Sequence, residues 1–368
     1  MNKSALFKNY ILPSAVLSGS ITGVGFFSLP YIALRVGIFP MLFYFFILGF
    51  LVLWIHLLFS EVAVLTPDFK RFPGFVRFHL GKWPGLLYLI SAISGSIGVM
   101  LVYLIIGSQF LANIFGGSQL LYAFLFWGVI TCLLFFGIRI ICKVEFGVMV
   151  FLGFILFFIF ISGFSQIKLS NIFISNFKFQ ISNLLLPYGP IVFSLWGTGA
   201  IPEVEELLGK NKKNIKKVIL LSFLTVSVIY LFFIFLILGI SGGATTETAL
   251  TGLKNYLGRY AFSLSLSLGV VTTFTASVMA GLTLKKVFMY DLGVKKTQAW
   301  IIASFTPLIL FLLGLNSFIP LISFIGGVLL SIEGMLILLM YKKIMGNKLF
   351  VYPLGAVFLL AIIYEIWF

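Results

Sequence analysis

Gly19-Ser20-Ile21-Thr22-Gly23-Val24-Gly25, with Pro30 following, interrupts an apolar run near the start of the chain. Trp196-Gly197-Thr198-Gly199-Ala200-Ile201-Pro202 interrupts another in the second half. Glycine and proline break a helix because one adds backbone freedom and the other removes a donor. A break facing lipid would leave N–H and C=O groups unpaired, at several kcal/mol each. Both breaks are therefore expected to line a protein cavity. Matched Gly/Pro-broken helices are the best sequence pointer to the site of a secondary transporter built from inverted repeats.

The rest of the chain fits a membrane setting. It is 61% hydrophobic and only 10% charged, with mean hydropathy +1.17; soluble domains carry about 25% charged residues. Apolar runs of roughly 20 residues, enough to cross the hydrocarbon core, recur along its length. Eleven spans are expected, at 9–36, 39–66, 84–113, 119–138, 144–164, 183–208, 215–240, 256–287, 297–314, 318–342 and 348–367. The N-terminal run lacks a small-residue cleavage site and continues into the first break, so it reads as a span, not a cleaved signal. Connections are short, and none separates soluble domains.

The net charge of +15 is not a nucleic-acid signal, because the basic residues sit in short loops between spans. With the N-terminus in the cytoplasm, 20 of the 25 Lys and Arg fall on the inner side and 5 on the outer. A missed helix would scramble that alternation, so the split supports both count and orientation. An odd count puts the C-terminus outside. Segment one then runs outward and segment six inward. This predicts a five-helix repeat over 1–165, an inverted repeat over 183–345, and an additional helix at 348–368. Cys132 and Cys142 match no metal or redox spacing and read as ordinary span or loop residues.

Several motifs resemble the amino acid/auxin permease family of the amino acid–polyamine–organocation superfamily, which includes tyrosine and tryptophan permeases. They are the opening Gly19 to Tyr31, Ser60-Glu61-Val62, Val102-Tyr103-Leu104-Ile105-Ile106-Gly107, Ala200-Ile201-Pro202-Glu203-Val204-Glu205 before a lysine-rich loop, and Ser323-Phe324-Ile325-Gly326-Gly327. The resemblance covers most of the chain. It implies an all-α membrane protein of the leucine-transporter type that carries neutral amino acids with H⁺ or Na⁺. Two departures concern the coupling ion. Some proton-coupled relatives carry a lysine midway along segment five, where 144–164 has none, and Glu333 is not part of the family pattern.

An amino acid brings a carboxylate and an ammonium. The carboxylate suits free N–H groups at the start of the outer half of segment one, and freed carbonyls suit the ammonium. The expected substrate residues are Gly19, Thr22, Gly23, Gly25, Gly197, Thr198 and Gly199, with Trp196 as a pocket wall and Tyr103 closing the site. The plain alternative is that the glycines only allow close helix packing. A charge at a helix centre costs about 2.5–3.5 kcal/mol, so intramembrane ionisable groups are functional candidates. Glu61 and Glu203 can hold an inner gate against a cytoplasmic Lys or Arg. Glu333 and Glu203 are candidate proton carriers. The rival is Na⁺ at Thr273 and Ser277, which share a helix face, together with first-helix carbonyls. Hydroxyls bonded back to their own helix are the alternative there, and His56 reads as a satisfied packing histidine.

No catalytic constellation, metal-ligand spacing or phosphate loop is present, so no enzyme and no ATP-driven pump is expected. The reading is an ion-coupled symporter of the cell membrane for neutral, apolar or aromatic amino acids. It needs no cofactor beyond the ion, and no nucleic acid. An amino-acid sensor on the same scaffold remains the alternative, because it needs the same site.

Overall fold

The computed structural model describes residues 6–67, 71–136, 142–174, 185–346 and 348–367. Lys3, Lys70, Arg139, Lys178, Phe368 and the predicted span ends at 137–138 and 183–184 lie outside them, as do the side chains of Cys142, Lys143 and Lys210.

A π-turn, Phe7–Ile11, leads into α1 (Leu12–Ile21). After Thr22 and Gly23 a 3₁₀ turn, Val24–Ser28, leads into α2 (Leu29–Val36), and the two halves are bent by 54°. Then come α3 (Ile38–Leu65), the short α4 (Phe72–Leu80), α5 (Lys82–Phe115), α6 (Gln119–Phe136) and α7 (Cys142–Gly163). The second half holds α8 (Tyr188–Leu195), α9 (Ile201–Leu208), α10 (Ile215–Ser241), α11 (Arg259–Tyr290) and α12 (Lys296–Leu312). It closes with α13 (Phe318–Phe324), α14 (Leu330–Met345) and α15 (Val351–Trp367). Among the described residues, six helices are long and apolar enough to cross a membrane, and the bent α1–α2 pair is a seventh candidate.

These helices are apolar on both sides, as a bilayer requires. On α3, Phe39, Phe43, Phe46 and Phe50 form one exposed stripe at 62–71% exposure. Met41, Phe45, Leu48, Val52, Ile55 and Phe59 pack inward. In water such a stripe would be a liability; in lipid it is the outer wall.

Two apolar cores result. One joins α1–α4, α7–α10, α13 and α14, with Phe26, Phe27, Phe59, Tyr230 and Phe233 at its centre. The other joins α5, α6, α11 and α12 through Leu101, Leu104, Phe126, Leu134, Leu284 and Ala303. Helix α5 serves both, because Val102, Tyr103, Ile106 and Phe110 face the first core while Leu101, Leu104 and Ile105 face the second. The longest packing contact is that of α5 along α11.

Three features differ from the expected pattern. The 67–83 connection contains α4, set off from α5 by Gly81 alone, at φ +96°. The outer connection after α10 winds into 3₁₀ turns at Gly242–Ala244 and Leu250–Asn255. Segment ten is opened by a π-turn over Ile325–Leu329, and Ser91 donates to its Leu329 carbonyl at 3.3 Å. At that turn α8 crosses with backbone against backbone. A β-carbon on Gly326 would overlap the Gly189 carbonyl, and one on Gly189 would lie 2.5 Å from Ser323 Cα. Gly326→Ala should therefore lower the melting temperature in detergent, by about 1–3 kcal/mol of stability. Gly128→Ala, whose added carbon meets nothing within 4 Å, should leave it unchanged or raise it.

Candidate functional site

The first break is built by one residue with two bonds. Thr22 donates to the Ser18 carbonyl from its backbone N–H at 2.9 Å and from its hydroxyl at 2.7 Å. This closes the end of α1 while Gly23 runs extended. Pro30 sits in the first turn of α2, where its missing N–H costs no bond. At the second break Trp196 is extended, and Ala200 N–H returns to the Gly197 carbonyl at 3.1 Å. Pro202 then opens α9.

Two buried side chains satisfy what remains. The Tyr230 hydroxyl, on α10, is shared between the Ser194 carbonyl at 3.0 Å and the Ile21 carbonyl at 3.2 Å. One phenol thus holds the carbonyl ends of both broken helices. Its ring stacks on Phe26 at 5.4 Å. His56 Nε2 accepts from Gly197 N–H at 3.0 Å, and its Nδ1–H donates to the Val52 carbonyl at 2.7 Å. Those two partners require the neutral ring with its proton on Nδ1. His56 is satisfied, as its sequence setting suggests, but it pins the break as well as packing.

Glu333 comes to the same place from α14. Its Oε1 accepts from the Trp196 indole at 3.1 Å and from the Thr198 hydroxyl. The Tyr88 hydroxyl also interacts with this carboxyl. Trp196 lies 6.3 Å from Phe358 by ring centroids, so its indole sits against α14 and α15.

The glycines divide into two kinds. Gly25 is a packing position: a β-carbon there would lie 2.6 Å from Ser194 Oγ and 2.7 Å from Phe193 Cδ1. Gly197 is another, where a β-carbon would overlap Ile21 and lie 3.5 Å from His56 Nε2. Gly23 faces Tyr103, whose hydroxyl would be 3.3 Å from an added β-carbon. Tyr103 is buried and its hydroxyl bonds to no described residue. Gly199 is exposed with open space around it. Gly19 is half-buried beside the exposed Ser20.

The remaining candidates scatter. Thr273 is buried and donates to its own helix, at Gly269 O (2.8 Å) and Val270 O (2.9 Å). Ser277 is buried, and its hydroxyl bonds to no described residue. Glu203 is exposed on α9. Glu61 is ion-paired with Lys216 at the start of α10, a half-exposed pair of modest worth. Lys212 pairs with Glu205 at 2.5 Å. Among the described residues no group of His, Cys, Asp and Glu could hold a metal ion.

The model of the tryptophan/tyrosine permease family matches residues 8–365. The chain belongs to that family. The resemblance carried by the Gly19–Tyr31, Tyr103 and Gly326 motifs is thereby met, and the permease is a multi-pass membrane transport protein, not an enzyme. A comparison with curated protein sequences finds no match. Among solved structures the permease is similar to MhsT in complex with L-phenylalanine, at 16% identity and TM-score 0.64 over 97% of each chain. It is also similar to a manganese transporter of Eremococcus coleocola in complex with an aromatic bis-isothiourea substituted compound, at 15% identity and TM-score 0.64. That match covers 100% of this chain and 89% of the other. At such identities the likeness is one of fold.

Tyr230 had one signal in the sequence: it is the one phenol in the apolar run Val226 to Ile237, and a buried Tyr hydroxyl needs a partner. Which partner it finds depends on the fold. Tyr230→Phe should cost about 1–3 kcal/mol by stranding the Ser194 carbonyl and leaving Ile21 O, which also accepts from Gly23 N–H at 2.8 Å, with one donor. Denaturation of Tyr230→Phe in detergent checks this, and a loss no larger than that of an exposed control such as Tyr260→Phe would show that the bridge contributes nothing.

Proposed function

We propose that this permease is a secondary active transporter that carries neutral, apolar or aromatic amino acids by alternating access, coupled to an ion gradient. The observation that carries this is the narrow gap between Gly23 and Tyr103, where an added β-carbon would lie 3.3 Å from the phenol oxygen. A backbone without a side chain faces a hydroxyl that bonds to no described residue, at the start of the 3₁₀ turn that opens the outer half-helix. That is a carboxylate site by its chemistry. Family membership and the fold shared with a phenylalanine-bound protein favour an aromatic amino acid. The architecture we assign is eleven spans, inverted repeats over 1–165 and 183–345 plus 348–368, with the N-terminus cytoplasmic and the C-terminus outside. The two apolar cores supply bodies that can rock against each other across α5 and α11.

Proteoliposomes test the reading. Phenylalanine or tryptophan uptake should be measurable in the wild type and abolished in Gly23→Leu, with the melting temperature retained. Binding without net uptake would make the protein a sensor. Cysteine accessibility that placed loops 67–83 and 209–217 outside would overturn the topology.

For coupling we favour H⁺ at Glu333. Its carboxyl accepts from Trp196 and Thr198, so protonation weakens its hold on the second break and links ion to conformation. Glu203 is the second carboxyl of this reading, and Na⁺ at Thr273 and Ser277 is the rival. An imposed pH gradient should drive uptake without sodium, and Glu333→Gln should uncouple it. Uptake that needs sodium, survives Glu333→Gln and fails in Thr273→Val would assign the hydroxyl site instead.

A further inference from the structure

A cavity of about 400 Å³ lies beyond the gap, away from α1 and α9. It falls in the size range of small-molecule sites. Tyr31 of α2, Ile105 and Gln109 of α5, and Phe318 of α13 line it, together with Gln119, Asn316 and the turn around Glu247. Ile105 and Gln109 stand two and six residues past Tyr103 on one helix, so the cavity wall runs from roughly 3 to roughly 9 Å further along the axis. On the same stretch of packing Phe27, Ile106 and Phe110 are fully buried, with the Phe27 and Phe110 rings 5.6 Å apart. Neither Gly23 nor Tyr103 lines the cavity, and the buried Phe27, Ile106 and Phe110 form an apolar plug beside Tyr103.

The lining selects one kind of guest. Among the described residues that line it, Glu247 is the one charged group, with no lysine or arginine. Glu247 makes no ion pair or hydrogen bond to a described side chain. Burial pushes its carboxyl up, while the Arg35 guanidinium draws it back down. Gln119 spends its amide N–H groups on the Ile105 carbonyl (3.1 Å) and Ser108 Oγ (3.3 Å), so its carbonyl oxygen is left as an acceptor. The turn that carries Glu247 is held, not loose. Thr246 and Thr248 both bond Thr251, at 2.7 and 2.8 Å, and Ala249 takes a left-handed φ of +55° that a side chain rarely adopts. Opposite this polar wall, Tyr31, Ile105 and Phe318 offer apolar surface.

We infer that this cavity is a docking site for an amphipathic primary amine, with the ammonium on Glu247 and the apolar tail on Tyr31 and Phe318. In the transport reading, on which its role but not its existence rests, the site receives the ammonium end of the amino acid before the plug opens. A carboxylate is not required here, which separates this site from the gap at Gly23.

The probe is 2-phenylethylamine, an aromatic primary amine without a carboxylate, bound to the full-length permease in nanodiscs by calorimetry. Wild type should bind it. Glu247→Gln should weaken binding about tenfold or more, the scale of a lost charged hydrogen bond. Gln109→Trp, which fills the cavity, should abolish it. Gly23→Leu should bind with unchanged affinity. No binding to wild type, or affinity unmoved by both Glu247→Gln and Gln109→Trp, overturns the proposal. Loss of amine binding in a folded Gly23→Leu protein overturns it too, by moving the amine to the gap. Full phenylalanine uptake by Gly23→Leu would instead remove the central site while leaving the amine site standing.

Discussion

A helix broken inside a membrane protein must still pair its backbone, and this permease meets that demand twice with very few side chains. The freed carbonyls of Ile21 and Ser194 share the hydroxyl of Tyr230, and the freed N–H of Gly197 goes to His56. Unpaired, each group would cost several kcal/mol in so apolar a setting. Because one phenol reaches both helices, the two breaks are not independent. Shifting α1 relative to α8 strains a bond at each end of the same hydroxyl, so α10 must follow or the bond must be given up.

The two cores place that bridge in context. The breaks, α10 and α14 belong to one core, while α6 and α12 belong to the other. Contact between them runs through α5, whose opposite faces serve opposite cores, and through α11, whose first half joins one core and second half the other. Tyr103 lies on the face of α5 that meets the breaks. At the end of α3 the Glu61–Lys216 pair ties two helices of the same core, and its exposure keeps its contribution small.

Glycine does opposite work at neighbouring positions. Gly25 and Gly197 let helices touch, and a side chain at either would strike its neighbour. Gly199 has open space beside its break, whereas Gly23 lies close beneath the Tyr103 hydroxyl. The same division separates Trp196 from Tyr103. The indole is engaged by Glu333, whereas the phenol hydroxyl has no described partner.

Much of this was legible in the order of residues. Spans follow from apolar length, because crossing lipid is a one-dimensional requirement on consecutive residues. Breaks follow from Gly and Pro, which act on their own backbone. The family could be recognised from Gly19–Tyr31 and its companion motifs for the same reason. Roles at the breaks were not legible. Gly23 and Gly25 read alike, Thr273 and Thr198 are both buried hydroxyls, and α4 was hidden in a polar connection too short to show a period. A hydroxyl or a carboxyl is defined by its partner, and the partners of Tyr230, His56 and Glu333 at the breaks lie 36 to 209 residues away along the chain. Sequence alone determined that the backbone breaks, where, and in what solvent. Tertiary structure decided which side chains pair the broken ends and which face open space, because only packing brings such distant groups within hydrogen-bond reach.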